Sequence, residues 1–428
     1  MGEYVGAGRL GSSGSCRPRT RGGSLLHVSG PSVWVLALLA LTGCAGSTQS
    51  MISAQTSTLA PTASPTPVPS PTPPPTLPPT LSIPAHGSFS TTGAMTTARD
   101  DANATLLLDG RVLIAGGYNR SDSSNLNSFT PLSSAELYDP KSGKFTATGS
   151  MVGPRFNPTA TLLLDGRVLI AGGDSGYSSP LSSAELYDPA TGSVAATGSM
   201  ASPRGGATAT LLSNGLVLIA GGGDDNRGTI FSSAELYNSV TGTFTVTGSM
   251  TTERMDATAT LLSGGQVLVA GGDSGHYLAS AELYNPKTGE FALTGSMQTV
   301  RSKATASALT DGRVLIAGGL DASAFGGSTA ELYNPKTGKF GKTGSMTHAR
   351  GLAMAAVLQD GRVLIVGGND QNNVALNTAE LYSRASGKFS PTGSMSTMRE
   401  RATATLLPDG RVLFAGGDGQ SSAELYLP

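Results

Sequence analysis

Seven arginines recur through this chain at a spacing near 50 residues: Arg99, Arg155, Arg204, Arg254, Arg301, Arg350 and Arg399. Turned toward a common axis, seven guanidinium groups would make an anion-binding ring. Seven glutamates keep the same period, at Glu136, Glu185, Glu235, Glu282, Glu331, Glu380 and Glu424. Each arginine therefore has an acid to pair with, and ion pairing is the favoured expectation. Asp174, Asp273 and Asp418 each follow a Gly-Gly pair, with Asp224 one place later. Such carboxylates suit calcium. They sit on separate loops, however, and Asp in that setting is also a turn former, so no metal is expected. His276 and His348 are the only histidines beyond residue 88 and bring no further ligands with them. No nucleophile elbow or Ser-His-Asp spacing is present. Neither a catalytic residue nor a cofactor is expected. Both cysteines, Cys16 and Cys44, precede the repeats, which leaves the repeated region without a disulfide or thiol chemistry.

The elements that carry these residues repeat with them. Gly-Gly pairs begin at Gly116, Gly172, Gly221, Gly271, Gly318, Gly367 and Gly416. Ala-Glu-Leu-Tyr begins at Ala135, Ala184, Ala234, Ala281, Ala330, Ala379 and Ala423, and a Thr-Gly-(Ser/Ala)-Met tetrad recurs from Met95 to Met395. Each unit divides into four short strands. In the first unit, Thr105–Leu108 and Arg111–Ala115 flank Asp109-Gly110, a two-residue signal for a tight hairpin. Ala-Glu-Leu-Tyr supplies the third strand. Asp139-Pro140-Lys141-Ser142-Gly143 makes a second compact turn, and Phe145–Met151 forms the fourth strand. The repeated methionines are expected to fill gaps between units.

A unit of about 50 residues with four antiparallel strands resembles one blade of the kelch family of β-propellers. The resemblance rests on the paired glycines closing strand 2, the Tyr-(Asp/Asn)-Pro-x-(Thr/Ser)-Gly turn and the arginine before strand 1, and it covers residues 88–428. The family usually places Trp on strand 4. This chain has Phe89, Phe145, Phe244, Phe291, Phe340 and Phe389 there, with Val194 in one unit. Some kelch propellers are copper radical oxidases resembling galactose oxidase, whose cofactor needs a Cys cross-linked to a Tyr; no Cys lies in 88–428. Sialidase-type Ser-x-Asp-x-Gly-x-Thr-Trp boxes are absent as well. The domain opens on a lone fourth strand, Ser88–Met95, and ends on a lone third strand, Ala423–Leu427. The expected fold class is therefore all-β, a seven-bladed β-propeller of kelch-like four-stranded blades, with the last blade closed by the N-terminal strand.

The first 87 residues read differently. Val33–Leu41 is an apolar run of nine behind Arg9, Arg17, Arg19 and Arg21. It is too short to span a bilayer and suits the core of a signal peptide. It ends in Leu41-Thr42-Gly43-Cys44, which resembles the bacterial lipobox. That resemblance implies lipidation at Cys44 after removal of the preceding segment. The expected organisation is a signal peptide with lipobox at 1–44, a Pro/Thr/Ser-rich disordered linker at 45–87 and the propeller at 88–428. The expected location is the extracellular face of the cell membrane, lipid-anchored, or secreted. Membrane contact is expected only through the N-terminal lipid. Beyond residue 87 the chain carries 24 basic and 28 acidic residues, which gives no footprint for nucleic acid.

Within a blade, the 1–2 and 3–4 turns fall on one face and the 2–3 and blade-to-blade 4–1 loops on the other. The first face is built of uniform turns; the second holds the length variation, so a binding site is expected there, near the channel mouth. Candidate ligand-binding residues are Tyr118, Arg120, Tyr177, Asp224, Arg227, Phe231, His276, Tyr277 and Phe325. Aromatics beside Asp and Asn suit a glycan or an extended peptide. Three function classes follow: a binding propeller recognising a glycan or protein, a carbohydrate-active enzyme, and a structural envelope component.

Overall fold

The computed structural model describes residues 87–120, 129–176, 179–224, 228–323 and 325–428. The expected signal peptide, nearly all of the linker, and Cys44 lie outside them. All regular structure among the described residues is β. Seven four-stranded antiparallel sheets follow one another along the chain. Blade 1 comprises Asn103–Leu106, Val112–Ala115, Ala135–Asp139 and Lys144–Ala147. In every blade the first strand is innermost and touches the first strands of both neighbouring blades, so seven first strands surround the axis.

The second strands explain the packing. Val-Leu-Ile-Ala and its variants are fully buried at all four positions. Alternate side chains leave a strand on opposite faces, and both faces of a blade are covered by neighbours. Val112 and Ile114 pack toward blade 7, whereas Leu113 and Ala115 pack toward blade 2. The core is thus seven apolar layers between blades. The repeated methionines are buried within these layers, as expected. Phe145 packs beside its cross-strand partner Tyr138, ring centroids 4.9 Å apart, and takes up the space expected of it.

Polar residues of the repeat tie the blades together. Tyr138, fully buried, shares a 2.9 Å hydrogen bond with Thr92, just past strand 4 of the preceding blade. The same bond recurs around the ring, ending with Thr392 and Tyr426. Gly116 and Gly117 both have positive φ, 67° and 84°. A Cβ on Gly116 would strike the Arg155 carbonyl of the next blade, and the Gly117 N–H donates to that carbonyl at 2.8 Å. Only glycine allows both the conformation and the approach.

Closure follows the expected route. Ser88–Thr91 pairs antiparallel with Ala423–Leu427, completing a sheet with Val412–Ala415 and Thr403–Leu406. The strand is shorter than expected, because Thr92–Met95 turns away to bond Ala423, Gly143 and Ser421 instead. Strand 1 of blade 1 also begins two residues earlier than expected, at Asn103, and strand 4 ends at Ala147 for the same reason as Thr91. Every strand of the ring pairs within residues 88–427, so the propeller is a self-contained folding unit.

Candidate functional site

The seven arginines do not form an anion ring. Each pairs with its glutamate: Arg99–Glu136 at 3.1 Å, Arg155–Glu185 at 2.7 Å, Arg204–Glu235 at 3.1 Å, Arg254–Glu282 at 3.1 Å, Arg301–Glu331 at 3.4 Å, Arg350–Glu380 at 3.1 Å and Arg399–Glu424 at 3.3 Å. All are buried. Arg99 also donates to the carbonyls of Gly116 and Ser134, while Glu136 accepts the N–H of Thr96. Burial pushes the Arg99, Arg254 and Arg350 guanidinium pKa values down, with the paired glutamates pulling back. The arginine side chain locks the 4–1 loop onto its own blade, and its carbonyl accepts from the blade before. This is a structural clamp, as the matching count of acids implied.

Two residues beyond each arginine lies a position that sequence reasoning passed over. It is occupied by Asp101, Asn157, Gly206, Asp256, Lys303, Leu352 and Arg401, and every one has positive φ, from 47° to 59°. Their backbones join blade to blade around the axis: Asp101 N–H donates to the Arg401 carbonyl, Asn157 to Asp101, Asp256 to Gly206, Lys303 to Asp256 and Arg401 to Leu352. Six of these seven side chains, with Asn103 and a belt of alanines and Pro158, line a cavity of about 380 Å³ at the channel mouth. That is the size of a small-ligand site. Two ion pairs stand at separate points of the rim, Arg401–Asp101 at 3.0 Å and Lys303–Asp256 at 3.3 Å. Asp256 holds the Lys303 ammonium above its usual pKa range, and burial works against it; Asp101 and Arg401 also bear on that lysine across the mouth. The internal signal was available: within loops that otherwise repeat, this position changes chemistry from blade to blade.

Behind Asp101 the carboxylate of Asp100 is fully buried. Its Oδ1 accepts the Gly419 N–H at 2.9 Å, and its Oδ2 lies 2.7 Å from Arg120 Nε in an ion-pair contact. Burial raises its pKa to about 6. Arg120 also approaches Glu400 and Asp418, each at 3.6 Å. This charge network spans the junction of blades 7 and 1.

The expected ligand-binding residues divide. Tyr118 packs against Phe129 and Phe156, with centroids 5.2 and 5.7 Å away, and burial raises its hydroxyl pKa, with Asp101 adding to the shift. Tyr277 is half-buried, pairs its backbone with Asp273, and has its pKa raised by burial and by Asp273. These two tyrosines border the two rim ion pairs. Arg120 is engaged in the network above rather than free. Phe231 lies under the Arg204 guanidinium, 5.2 Å from ring centroid to Cζ, and so supports the clamp. His276 and Phe325 are exposed on their loops. Tyr177 and Arg227 lie outside the described residues, and Asp224 is described only through its backbone pairing with Thr229. Asp174 and Asp273 serve loop geometry: Asp174 bridges Phe156, and Asp273 Oδ1 accepts the Gly275 N–H. Among the described residues no group of three or more His, Cys, Asp or Glu is placed to hold a metal ion.

Seven closed blades around a polar axial mouth define a β-propeller. The chain is a β-propeller that carries Kelch motifs: the family model of the Kelch motif matches residues 155–200 and 258–298. Among solved structures, a fungal alcohol oxidase of the AA5 family, in complex with copper, is similar at 19% identity and a TM-score of 0.63, over 80% of this chain and 76% of that one. The structure of YjhT is similar at 15% identity and a TM-score of 0.54, over 71% of this chain and all of that one. At such identities the likeness is one of fold. No curated protein sequence matches.

Proposed function

We propose that this protein is a binding propeller whose ligand docks at the axial mouth of the variable face. The observation that carries the reading is the ring of left-handed residues. A non-glycine residue in that conformation costs on the order of 1 kcal/mol. Six of the seven ring positions bear that cost although a glycine would remove it. The side chains thus retained present two carboxylates, an ammonium, a guanidinium and an amide to one cavity. Paired donors and acceptors beside Tyr118 and Tyr277 suit a polyhydroxylated glycan or the polar backbone of an extended protein segment.

The proposal extends to location. Lipidation at Cys44 would hold the protein at the extracellular face of the cell membrane, with residues 45–87 as a spacer. Gly87 lies beside Tyr426 at the foot of blade 7, on the face away from the mouth. The missing propeller cysteine argues against a copper radical enzyme on this chain.

Glycan and peptide arrays probed with residues 45–428 test the binding claim. Arg401→Ala and Lys303→Ala should each weaken a captured ligand by about tenfold or more, the scale of one lost charged hydrogen bond. Binding indifferent to both would remove the site from the mouth. Cys44→Ser should release the protein into the medium at high ionic strength, where attraction between surface charges is screened; retention on the membrane under that condition would refute the lipid anchor.

A further inference from the structure

Charge is not spread evenly along the propeller axis. The seven Arg–Glu clamps cancel within the walls. Outside them, the described residues of the 2–3 and 4–1 loops of the variable face carry 11 Asp and Glu against three Arg and Lys, a formal −8. On the opposite face the five Asp-Gly-Arg turns are self-neutralising, as Arg111, Arg167, Arg313, Arg362 and Arg411 each pair with the Asp two residues before. The 3–4 turns of that face, residues 139–144, 188–193, 238–243, 285–290, 334–339 and 383–388, carry six Lys and one Arg against three acids, a formal +4. A near-neutral domain is therefore an axial charge dipole.

The cations are grouped. Lys336, Lys339, Arg384 and Lys388 stand on adjacent blades 5 and 6, whose 3–4 turns contain no acid, and Lys141 and Lys144 stand on blade 1. Blades 6 and 1 flank blade 7, where the chain enters at Gly87. All six side chains are exposed. Asp139 lies in the same turn as Lys141 and opposite Lys144, and Arg384 has Asp311 at 3.6 Å. The same face exposes aliphatic side chains at its turn tips: Leu108 at 75%, Leu164 at 72% and Val240 at 92%. Six intact 3–4 turns of one length bring the cations to one level.

We propose that this uniform-turn face is a docking surface for an anionic lipid membrane. A level array of cations suits a planar anionic partner, because attraction to a charged leaflet adds up over every Lys and Arg lying within a Debye length of it. Exposed leucine and valine can enter the headgroup boundary. The chain enters the ring on this same face, at Gly87. The acidic mouth is then driven outward by the same field. This contact is additional to any lipid on Cys44 and independent of what the mouth binds.

The test is co-sedimentation of residues 45–428, a span that contains the self-contained ring, with vesicles of phosphatidylcholine alone or mixed with phosphatidylglycerol. Binding should favour the mixed vesicles by about tenfold or more and fade at high ionic strength. Lys336→Glu/Lys339→Glu/Lys388→Glu should lower it by at least about tenfold with the unfolding temperature unchanged. Glu253→Lys, exposed on the acidic face, should leave it unchanged. Equal binding to both vesicle types, indifference to the triple reversal, or an equal response to Glu253→Lys would overturn the proposal. So would binding to soluble polyphosphate without binding to vesicles, which would assign the face to a polyanion instead.

Discussion

Five of the seven 1–2 turns at the uniform face carry the same Asp-Gly-Arg triplet, whereas six residue types occupy the seven left-handed positions at the mouth of the variable face. The strands between are nearly identical. At the uniform face the turn must reverse a hairpin in two residues, so its chemistry is dictated by backbone geometry. At the mouth only φ is dictated. A left-handed backbone is required to swing the chain from one blade into the next, and the side chain there is free to answer to something outside the molecule. Repetition inside one chain thus separates what the fold consumes from what it leaves available.

Four measurements would break or sharpen that contrast. The largest effect belongs to the walls. Arg301→Ala leaves Glu331 buried without its guanidinium and should cost about 3–5 kcal/mol in a denaturant titration. A cost near zero would mean that the arginines are not clamps. Next is pH. Asp100 has its pKa raised to about 6 from 3.8, so the fold keeps a proton that the unfolded chain gives up between those values. Stability from this group is present below pH 4 and is lost as pH rises through 6, by up to about 3 kcal/mol. Asp100→Asn should flatten that slope in melts taken between pH 4 and 7.

The third effect is at the uniform face. Gly166 has φ of 88°, and a Cβ there would meet Leu108 Cδ1 across the blade boundary at 3.1 Å. Gly166→Ala should cost about 1 kcal/mol through the backbone, since Leu108 is exposed and can give way. The smallest is at the mouth. Leu352→Asn keeps a residue tolerant of the left-handed region and should change stability by less than about 0.5 kcal/mol. If the mouth is the binding site, this silent change in stability should still alter affinity for the captured ligand. A mouth substitution as costly as Gly166→Ala would erase the distinction between the two ends.

The reading from residues reached some of this and not the rest. Strand type, blade number and the closing strand were legible because hydrophobic alternation, turn glycines and an unpaired terminal strand each have a direct geometric meaning. The Arg–Glu pairing was legible from equal numbers and equal periods. Strand ends were less so. Thr92–Met95 has the pattern of a strand, but only the Thr92 N–H reaches its ladder partner, at Ala423, while Gly93 and Met95 donate to a turn of the next blade and to a loop. The site was half legible. Tyr118 and Tyr277 lie beside the rim, whereas Arg120 and Phe231 serve Asp100 and Arg204. Asp256, Lys303 and Arg401 were missed because their loops look alike until the arginine is aligned in all seven. The axial charge separation was hidden by a net charge near zero, which no composition can resolve into ends.

Blade 7 also has a mechanical meaning. It is where the ring is joined by hydrogen bonds rather than by continuous chain, through the four register pairs from Ser88–Leu427 to Thr91–Glu424. A pull applied at residue 87 acts along the strand axis and loads those pairs together, in shear, instead of opening them one by one. The strand that closes the propeller is then also the joint that takes the load, and its rupture force, rather than the equilibrium stability of the ring, sets how hard the ring can be pulled from that end.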